Sequence, residues 1–392
     1  MDQDPSLGLP FRTLNGKICI QRELEVTNTK EYKDIVHEFD IEETCEWIIN
    51  NNYSKVCLQF PDDLLPVSAK IYEEIKKRND VDLYILGDTS YASCCVDAVA
   101  AMHVQGDAVV HYGRSCFTKS EIPVFTVLPK KELNLLRVKN ILLKNFNSDK
   151  DIKLCLFYDA EFEHCKDELV KFWFLQYWKS YIAFIAIDDK NKRFLGRVIK
   201  DKHEDEYFVD VLKDCICIYV GLNGQTVFNY TISIEAKKWF LLDPETIKIE
   251  SREESKWFKR RRFLIEKCKD ANVVGILICK LAGEQTKDII KRLKKLCQSN
   301  GKKSYIISVG KPNVAKLANF PEIDIYVMVA CPENELYNNR DFYKPIVYPF
   351  ELEVALNSNR EPFFTTHITD LMSYFQARDI TVISMRLKNL QM

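Results

Sequence analysis

The sequence lacks an excess of charge of either sign, a long apolar run and a signal peptide. Its 56 Lys and Arg residues nearly balance its 57 Asp and Glu residues, so the formal net charge is -1 and no global attraction draws the chain to nucleic acid or to an anionic membrane. No stretch reaches the roughly 18 uninterrupted apolar residues of a spanning helix. The opening MDQDPSLGLPF has none of the regions of a signal peptide. These absences predict a cytosolic protein with no membrane and no direct nucleic-acid partner.

The cysteines do not follow the CxxC pattern typical of zinc fingers, although there are 14 of them. In a reducing compartment each is expected to be either a small buried apolar residue or a functional thiolate, not half of a disulfide. Those inside apolar, β-branched runs are predicted to be buried and inert, with raised pKa values. They are Cys57, Cys155, Cys215, Cys217 and Cys279.

The chain alternates short apolar strands with amphipathic helices, which predicts an α/β protein with parallel sheets. Three similar segments open with the strands VCLQF at 56–60, LCLFY at 154–158 and VGILIC at 274–279. In each, a later strand is introduced by an aspartate, namely Asp107, Asp214 or Asp324. This order predicts three copies of one unit of roughly 100 residues. Three unrelated α/β units in a row are the alternative.

The predicted domains are an N-terminal extension at 1–34, a first α/β domain at 35–130, a middle α/β domain at 131–250 and a third α/β domain with a C-terminal tail at 251–392. Their total length and an apolar content of 46% allow two or three real cores.

Four cysteines differ from the others because they follow strands, in loops rich in Gly, Ser, Pro or Asn. They are Cys94, Cys95, Cys116 and Cys331. Binding sites of open parallel sheets lie at the carboxyl ends of strands. Three domains around a common centre can therefore bring these loops together. Widely separated thiolates in one site favour an iron–sulfur cluster over a zinc finger.

Three motifs now carry a resemblance. GDTSYASCCVD, DAVVHYGRSC and ACPENELYNNRDFYKPIVYPFELEVALN, in this order, resemble the signatures of the diphthamide synthase family over roughly residues 35 to 375. The resemblance implies three homologous domains, each with a small, mainly parallel sheet flanked by helices, around a central 4Fe-4S cluster. It also implies a heterodimer of two related chains. That heterodimer transfers the 3-amino-3-carboxypropyl group of S-adenosylmethionine to a histidine of translation elongation factor 2.

When the family's motifs are matched to this sequence position by position, the resemblance implies that Cys94 and Cys331 are metal ligands. Cys116 can complete a set of three thiolates. Cys95 is the alternate to Cys94, which is favoured because adjacent side chains usually point apart. The middle domain departs from the family pattern. Where a catalytic chain is expected to show Leu-Gly-Cys, this chain has LGR at 195–197, and no cysteine lies between Cys165 and Cys215.

The missing ligand indicates a companion subunit that is not catalytic alone. The resemblance implies that such a chain supports the catalytic paralogue and helps to reduce its 4Fe-4S cluster, with an electron-donor protein as a further partner. A cluster-free scaffold that holds the catalytic chain is the alternative. A cysteine-nucleophile enzyme using Cys94 or Cys116 with His111 is a third hypothesis, but we identify no residue that would orient the base.

A histidine, a basic run and a pair of aspartates also have expected roles. His111, near the end of its strand, is a candidate to donate to a cluster sulfur. The basic run KWFKRRRF at 256–263 is expected to be a solvated helix face with its aromatic rings packed inward. A surface for a partner protein is its alternative. Asp62 and Asp63 are expected to cap the helix that follows the first strand.

Overall fold

The computed structural model describes residues 32, 34–87, 94–115, 117, 120, 122–146, 152–186, 194–251, 256–279, 284–309, 312–330 and 342–357. Of residues 232, 256–258 and 284–286 it describes the backbone alone. The chain divides into two compact bodies, residues 1–33 and 34–392, and every element named below belongs to the second. Within the described residues, no helix is both long enough and apolar enough to cross a bilayer.

The first sheet is entirely parallel, with the strand order β2-β1-β3-β4. Its strands are β1 (Lys55–Gln59), β2 (Asp82–Leu86), β3 (Ala108–Tyr112) and β4 (Val124–Val127). The helices beside it are α1 (Ile35–Glu38), α2 (Ile41–Asn50), α3 (Leu65–Arg78) and α4 (Ala98–His103). Every residue of the central strand β3 is buried, as expected where both faces of a parallel sheet are covered.

The middle sheet has seven strands in the order β11-β10-β9-β5-β6-β7-β8. They are β5 (Lys153–Tyr158), β6 (Ser180–Ile185), β7 (Arg197–Lys200), β8 (Glu206–Tyr207), β9 (Cys215–Val220), β10 (Lys238–Asp243) and β11 (Lys248–Ser251). Its four central strands are parallel, and the others extend the two edges antiparallel. Its helices are α5 (Leu135–Asn145), α6 (Lys166–Gln176) and α7 (Gln225–Ser233), with 3₁₀ segments at Ala160–Cys165 and Val209–Asp214.

The third sheet is again entirely parallel, in the order β13-β12-β14-β15. Its strands are β12 (Val273–Ile278), β13 (Lys303–Ser308), β14 (Ile325–Val329) and β15 (Ile346–Val347). Its helices are α8 (Lys256–Asp270), α9 (Glu284–Ser299), α10 (Val314–Ala318) and α11 (Pro349–Leu356).

When only the parallel strands are counted in chain order, all three sheets have the same arrangement, in which the second strand, the first, the third and the fourth lie side by side. The middle sheet adds strands only outside this common set. The prediction of an α/β fold with small parallel sheets flanked by helices is therefore confirmed. The common order also favours three copies of one unit over three unrelated units. Each sheet with its helices is called a unit below, and the three are the first, the middle and the third unit. The domain boundaries near residues 34, 130 and 250 stay predictions.

The aspartate before the third strand ties the starts of two strands together. Asp107 Oδ2 accepts hydrogen bonds from the backbone N–H groups of Ser54 and Lys55, each at 2.9 Å. Asp324 repeats this contact with two backbone N–H groups at the start of β12, at 2.9 and 3.0 Å. Asp214, in the middle unit, instead faces a lysine ammonium at 3.8 Å and is largely exposed. The repeated aspartate thus has the same structural role in the first and third units.

The basic run at the start of α8 differs from its prediction in two ways. Arg261 is buried, and its Nε donates to Glu351 of α11 at 2.5 Å while its guanidinium lies over the ring of Tyr348. Phe263, expected to pack inward, is 58% exposed. The prediction of a solvated face with inward rings is therefore wrong for both residues, because α8 turns its arginine toward a buried carboxylate. The side chains of residues 256–258 lie outside those described.

The prediction that Asp62 and Asp63 cap α3 is also wrong. Both residues are exposed, and the N-cap position is Leu64, which makes no side-chain capping hydrogen bond. The backbone makes the turn instead, because the N–H of Leu64 donates to the carbonyl of Pro61 at 3.0 Å.

Replacing Asp107 or Asp324 by alanine should reduce the free energy of unfolding at pH 7 by about 1 kcal/mol each, the usual effect of losing a capping carboxylate. The hydrogen bonds from the strand starts lower the pKa of both carboxyl groups. A lowered folded pKa stabilises the fold above the ordinary pKa, and this contribution disappears as the pH falls. The difference between wild type and variant should therefore shrink below about pH 4.

Urea unfolding at a series of pH values measures this difference, with Asp214→Ala as the matched control. A deficit that is independent of pH, or one that is as large for Asp214→Ala, would contradict the account.

Candidate functional site

The first candidate ligands lie in a turn between β2 and α4. Cys94 and Cys95 are both buried, with exposures of 7% and 2%, and their Sγ atoms are 4.0 Å apart. The expectation that these adjacent side chains point apart is therefore not met. Cysteine thiolates are the donors that iron–sulfur clusters take, so both residues are of the type that this chemistry requires. The choice of Cys94 over Cys95 stays a prediction.

Gln59, the last residue of β1, fixes this turn. Its Nε2 donates to the carbonyl of Cys95 at 2.7 Å, and its Oε1 accepts from the N–H of Asp97 at 2.9 Å. Asp97 in turn caps α4 by accepting from the N–H of Ala100 at 2.9 Å. Both ends of the buried amide are thus used to hold the segment that follows Cys94. Sequence reasoning missed Gln59, and the available signal was one polar residue in the apolar strand KVCLQF.

His111 lies beside Gln59, because the two residues pair in register on β3 and β1. It is completely buried. The structure therefore places it one strand from the residue that holds Cys95. Its role as a donor to a cluster sulfur stays a prediction.

The other two predicted ligands, Cys116 and Cys331, lie outside the described residues. Arg114, Ser115 and Phe117, which flank the first of them, are described. Within the described part of the chain, no group of three or more His, Cys, Asp or Glu side chains is arranged to hold a metal ion. The three-thiolate set of Cys94, Cys116 and Cys331 therefore stays a prediction.

In the middle unit, the LGR segment lies next to the carboxyl end of β6, the second strand of that unit. Leu195 and Gly196 both have positive φ, of 50° and 73°, and so form a tight turn. Arg197 then opens β7 and pairs antiparallel with Ile185, the last residue of β6. This is the edge of a parallel sheet at which ligands usually bind.

The Arg197 side chain fills this position. It is 4% exposed, and it donates to the carbonyl of Tyr158 at 2.7 Å, the carbonyl of Ala183 at 3.2 Å and the hydroxyl of Tyr230 at 2.8 Å. Its guanidinium carbon also lies 5.4 and 5.3 Å from the ring centroids of the two tyrosines. A guanidinium has no acceptor lone pair. It cannot ligate a metal, so at this position the middle unit offers a cation where a catalytic chain is expected to have a thiolate.

The cysteines predicted to be structural are buried, which confirms that prediction. Burial raises the pKa of the thiol to about 11 in Cys57 and to about 12 in Cys215 and Cys279. At neutral pH these groups are protonated and are poor nucleophiles or metal ligands. Cys155 and Cys217 are fully buried as well.

Comparison with known proteins gives one family and several relatives. The family described as "Putative diphthamide synthesis protein" matches residues 60–363. The protein named 2-(3-amino-3-carboxypropyl)histidine synthase subunit 2 is 36% identical in Danio rerio, over 88% of this chain and 73% of the relative. The Xenopus laevis protein of that name is 37% identical, over 88% and 74%. The Schizosaccharomyces pombe protein is 32% identical, over 88% and 69%.

Solved structures agree on the fold. A crystal structure of Dph2 from Pyrococcus horikoshii has a TM-score of 0.63 and 20% identity, covering 84% of this chain and 94% of that chain. A second, with a 4Fe-4S cluster, has a TM-score of 0.66 and 21% identity over the same shares.

Replacing Gln59 by leucine should loosen the turn at Cys94 and Cys95, because two backbone groups lose a buried partner. Each such group destabilises the local structure by about 1–3 kcal/mol. Alkylation of the metal-free protein, followed by peptide mass spectrometry, should show faster labelling of the peptide that contains these two cysteines. Unchanged labelling of that peptide, with Cys297 as an internal reference, would show that Gln59 does not hold the turn.

Replacing Arg197 by methionine should destabilise the fold by about 2–4 kcal/mol, because the last carbonyl of β5, a carbonyl within β6 and a tyrosine hydroxyl lose a buried donor. Urea unfolding measures the change. Arg262→Met on the exposed side of α8 is the matched control and should shift stability by less than about 0.5 kcal/mol. Equal effects of the two substitutions would show that the guanidinium does not organise the middle sheet.

Proposed function

The chain belongs to the diphthamide synthesis protein family, and on that premise we propose that it is the companion subunit of the complex that makes the first intermediate of diphthamide. That complex transfers the 3-amino-3-carboxypropyl group of S-adenosylmethionine to a histidine of translation elongation factor 2, in the cytoplasm. The observation that carries the proposal is Arg197. This chain has a caged guanidinium at the carboxyl end of the middle sheet, where the catalytic paralogue is expected to have a cysteine ligand.

The proposed cluster ligands are Cys94, Cys116 and Cys331, with Cys95 as the alternate to Cys94. Thiolates from three separate loops suit a 4Fe-4S cluster with one iron free of protein sulfur. Such a cluster, when bound, supplies one-electron transfer. In the first unit, the side-chain amide of Gln59 holds the backbone at both ends of the Cys95–Asp97 segment, next to the proposed ligand Cys94. His111 lies on the neighbouring strand and can act on a sulfur as a hydrogen-bond donor.

The proposed role of the chain is to bind the catalytic paralogue and to help keep the paralogue's cluster reduced. An electron-donor protein is then the third member of the system. The chain is not catalytic alone, because its middle unit offers a cation and no thiolate at the second-strand position. The names of its relatives, which call them subunit 2 of a histidine synthase, support a place in a complex.

A cluster-free scaffold is the second candidate, and one observation favours it. Cys94 and Cys95 are as buried as the structural cysteines of the strands, and buried thiols also serve as simple packing residues. In that case the fold would only hold the catalytic paralogue. A colourless chain that takes up no iron on reconstitution would support the scaffold, and a brown chain absorbing near 400 nm would exclude it.

Replacing Cys94 and Cys331 together by alanine should block the supply of electrons to the paralogue. In the reconstituted complex, reduction of the paralogue's cluster by the electron-donor protein should fall to the level seen without this chain. Freeze-quenched electron paramagnetic resonance follows that reduction. Dithionite, which needs no protein route, should still reduce the paralogue's cluster fully.

Cys297→Ala is the matched control, since Cys297 is a buried cysteine of α9. It should leave donor-dependent reduction unchanged. Normal reduction through the Cys94, Cys331 double variant would contradict the proposed relay.

A further inference from the structure

Arg114, in the motif HYGRSC, joins the first unit to the middle unit. It follows β3 by two residues, and its guanidinium reaches across to two carboxylates that follow β5. Its Nε and one terminal nitrogen donate to Glu161 Oε1 at 3.1 and 2.8 Å, and the same terminal nitrogen lies 3.4 Å from Asp159 Oδ2. One cation thus faces two anions of the neighbouring unit.

The two carboxylates that Arg114 contacts are themselves largely buried. The Asp159 side chain is 5% exposed and that of Glu161 is 16% exposed. Asp159 Oδ2 also accepts from the hydroxyl of Tyr219 at 2.9 Å. The Arg114 side chain is 45% exposed, but both of its acceptors are largely buried, and charge-assisted hydrogen bonds to such groups are stronger than ion pairs between two exposed side chains. This contact therefore fixes Arg114 on the middle unit.

The chain leaves β3 toward this contact through a glycine. Gly113 has φ of +100°, a conformation that side chains with a Cβ rarely adopt. A Cβ at this position would also lie 3.1 Å from Pro61 Cγ. The turn that directs Arg114 toward the middle unit thus depends on glycine.

Phe117 makes a second contact with the same unit. Its ring packs against the hydrophobic core between the middle sheet, α5 and α6, which includes Tyr158 and Trp173. Its backbone has φ of +50°, and its N–H donates to Ser115 Oγ at 3.1 Å. An uncommon backbone conformation of a bulky residue indicates that the surrounding contacts fix it.

We infer that Arg114 and Phe117 are positioning residues that anchor the chain on both sides of position 116 to the middle unit. Consecutive Cα atoms lie about 3.8 Å apart, so two anchored residues three positions apart limit the reach of the peptide that joins them. The middle unit has Arg197 where a ligand is expected. Its contribution to the site is then to hold a thiolate of the first unit in place. The role of Cys116 as a ligand rests on the proposed function, whereas the anchoring itself does not.

Two variants test the anchoring in the full chain without metal. Arg114→Gln removes the charge, and Phe117→Leu reduces the packed ring. In each, alkylation of the peptide that contains Cys116 should speed up by about tenfold, as expected for a segment whose local opening becomes easier. Labelling of the peptides with Cys94, Cys95 and Cys297 should not change. Arg137→Gln, an exposed arginine of α5, is the control and should match wild type.

A double-mutant cycle separates a direct contact from general loosening. Glu161→Gln should speed up labelling of Cys116 as Arg114→Gln does, and the double variant should add little to either single variant. Fully additive effects, or a rate for Cys116 that stays at the wild-type value in both Arg114→Gln and Phe117→Leu, would overturn the inference. If all peptides of Arg114→Gln label faster, that variant has lost its fold and does not test the contact. Arg114→Lys, which keeps the charge, is then used in its place and should show a smaller increase in labelling that is confined to Cys116.

Iron content after anaerobic purification tests the link to the cluster. A lower iron content in Arg114→Gln, together with selective labelling of Cys116, supports the inference in full. Selective labelling in a chain whose wild type binds no iron would support the anchoring and contradict the proposed cluster.

Discussion

The buried guanidinium of Arg197 hydrogen-bonds the last carbonyl of β5, a carbonyl of β6 and the hydroxyl of Tyr230. Removing such a cation from water is unfavourable by several kcal/mol unless its N–H groups find partners. The partners that the structure describes are carbonyl and phenol oxygens and the faces of two tyrosine rings. They fix the carboxyl end of the middle sheet around a positive charge. A cysteine ligand at this position would remove the charge and leave these oxygens without their donor.

Because of this constraint, the three sheets present different functional groups although they have the same strand order. The first unit presents Cys94 and Cys95 in a turn that Gln59 holds. The middle unit supplies no thiolate at the corresponding edge, and its carboxylates bind Arg114 instead. Similar backbones thus carry different chemistry at equivalent strand ends, because ligands bind at the carboxyl ends of parallel strands and function depends on the side chains placed there. A companion subunit is the consequence that we propose.

Local patterns predicted what depends on local chemistry. The apolar strands, the alternation with helices and the repeated Asp107 and Asp324 were readable, because each reflects burial or a contact at a strand start. Several of the failures involve partners distant in sequence. Arg261 is buried because Glu351 lies 90 positions away on α11, and no periodicity in α8 indicates that pair. The same holds for Gln59 with Cys95, and for Arg114 with Glu161.

The most direct test of the account is the iron and acid-labile sulfide content of the chain purified alone under anaerobic conditions. The account predicts about four iron and four sulfide per chain, with a paramagnetic signal after reduction by dithionite. This result would mean that the strand-end cysteines hold a cluster although the middle unit presents Arg197. A chain without iron, whose catalytic paralogue alone carries a cluster in the complex, would contradict the account and leave the fold as a scaffold.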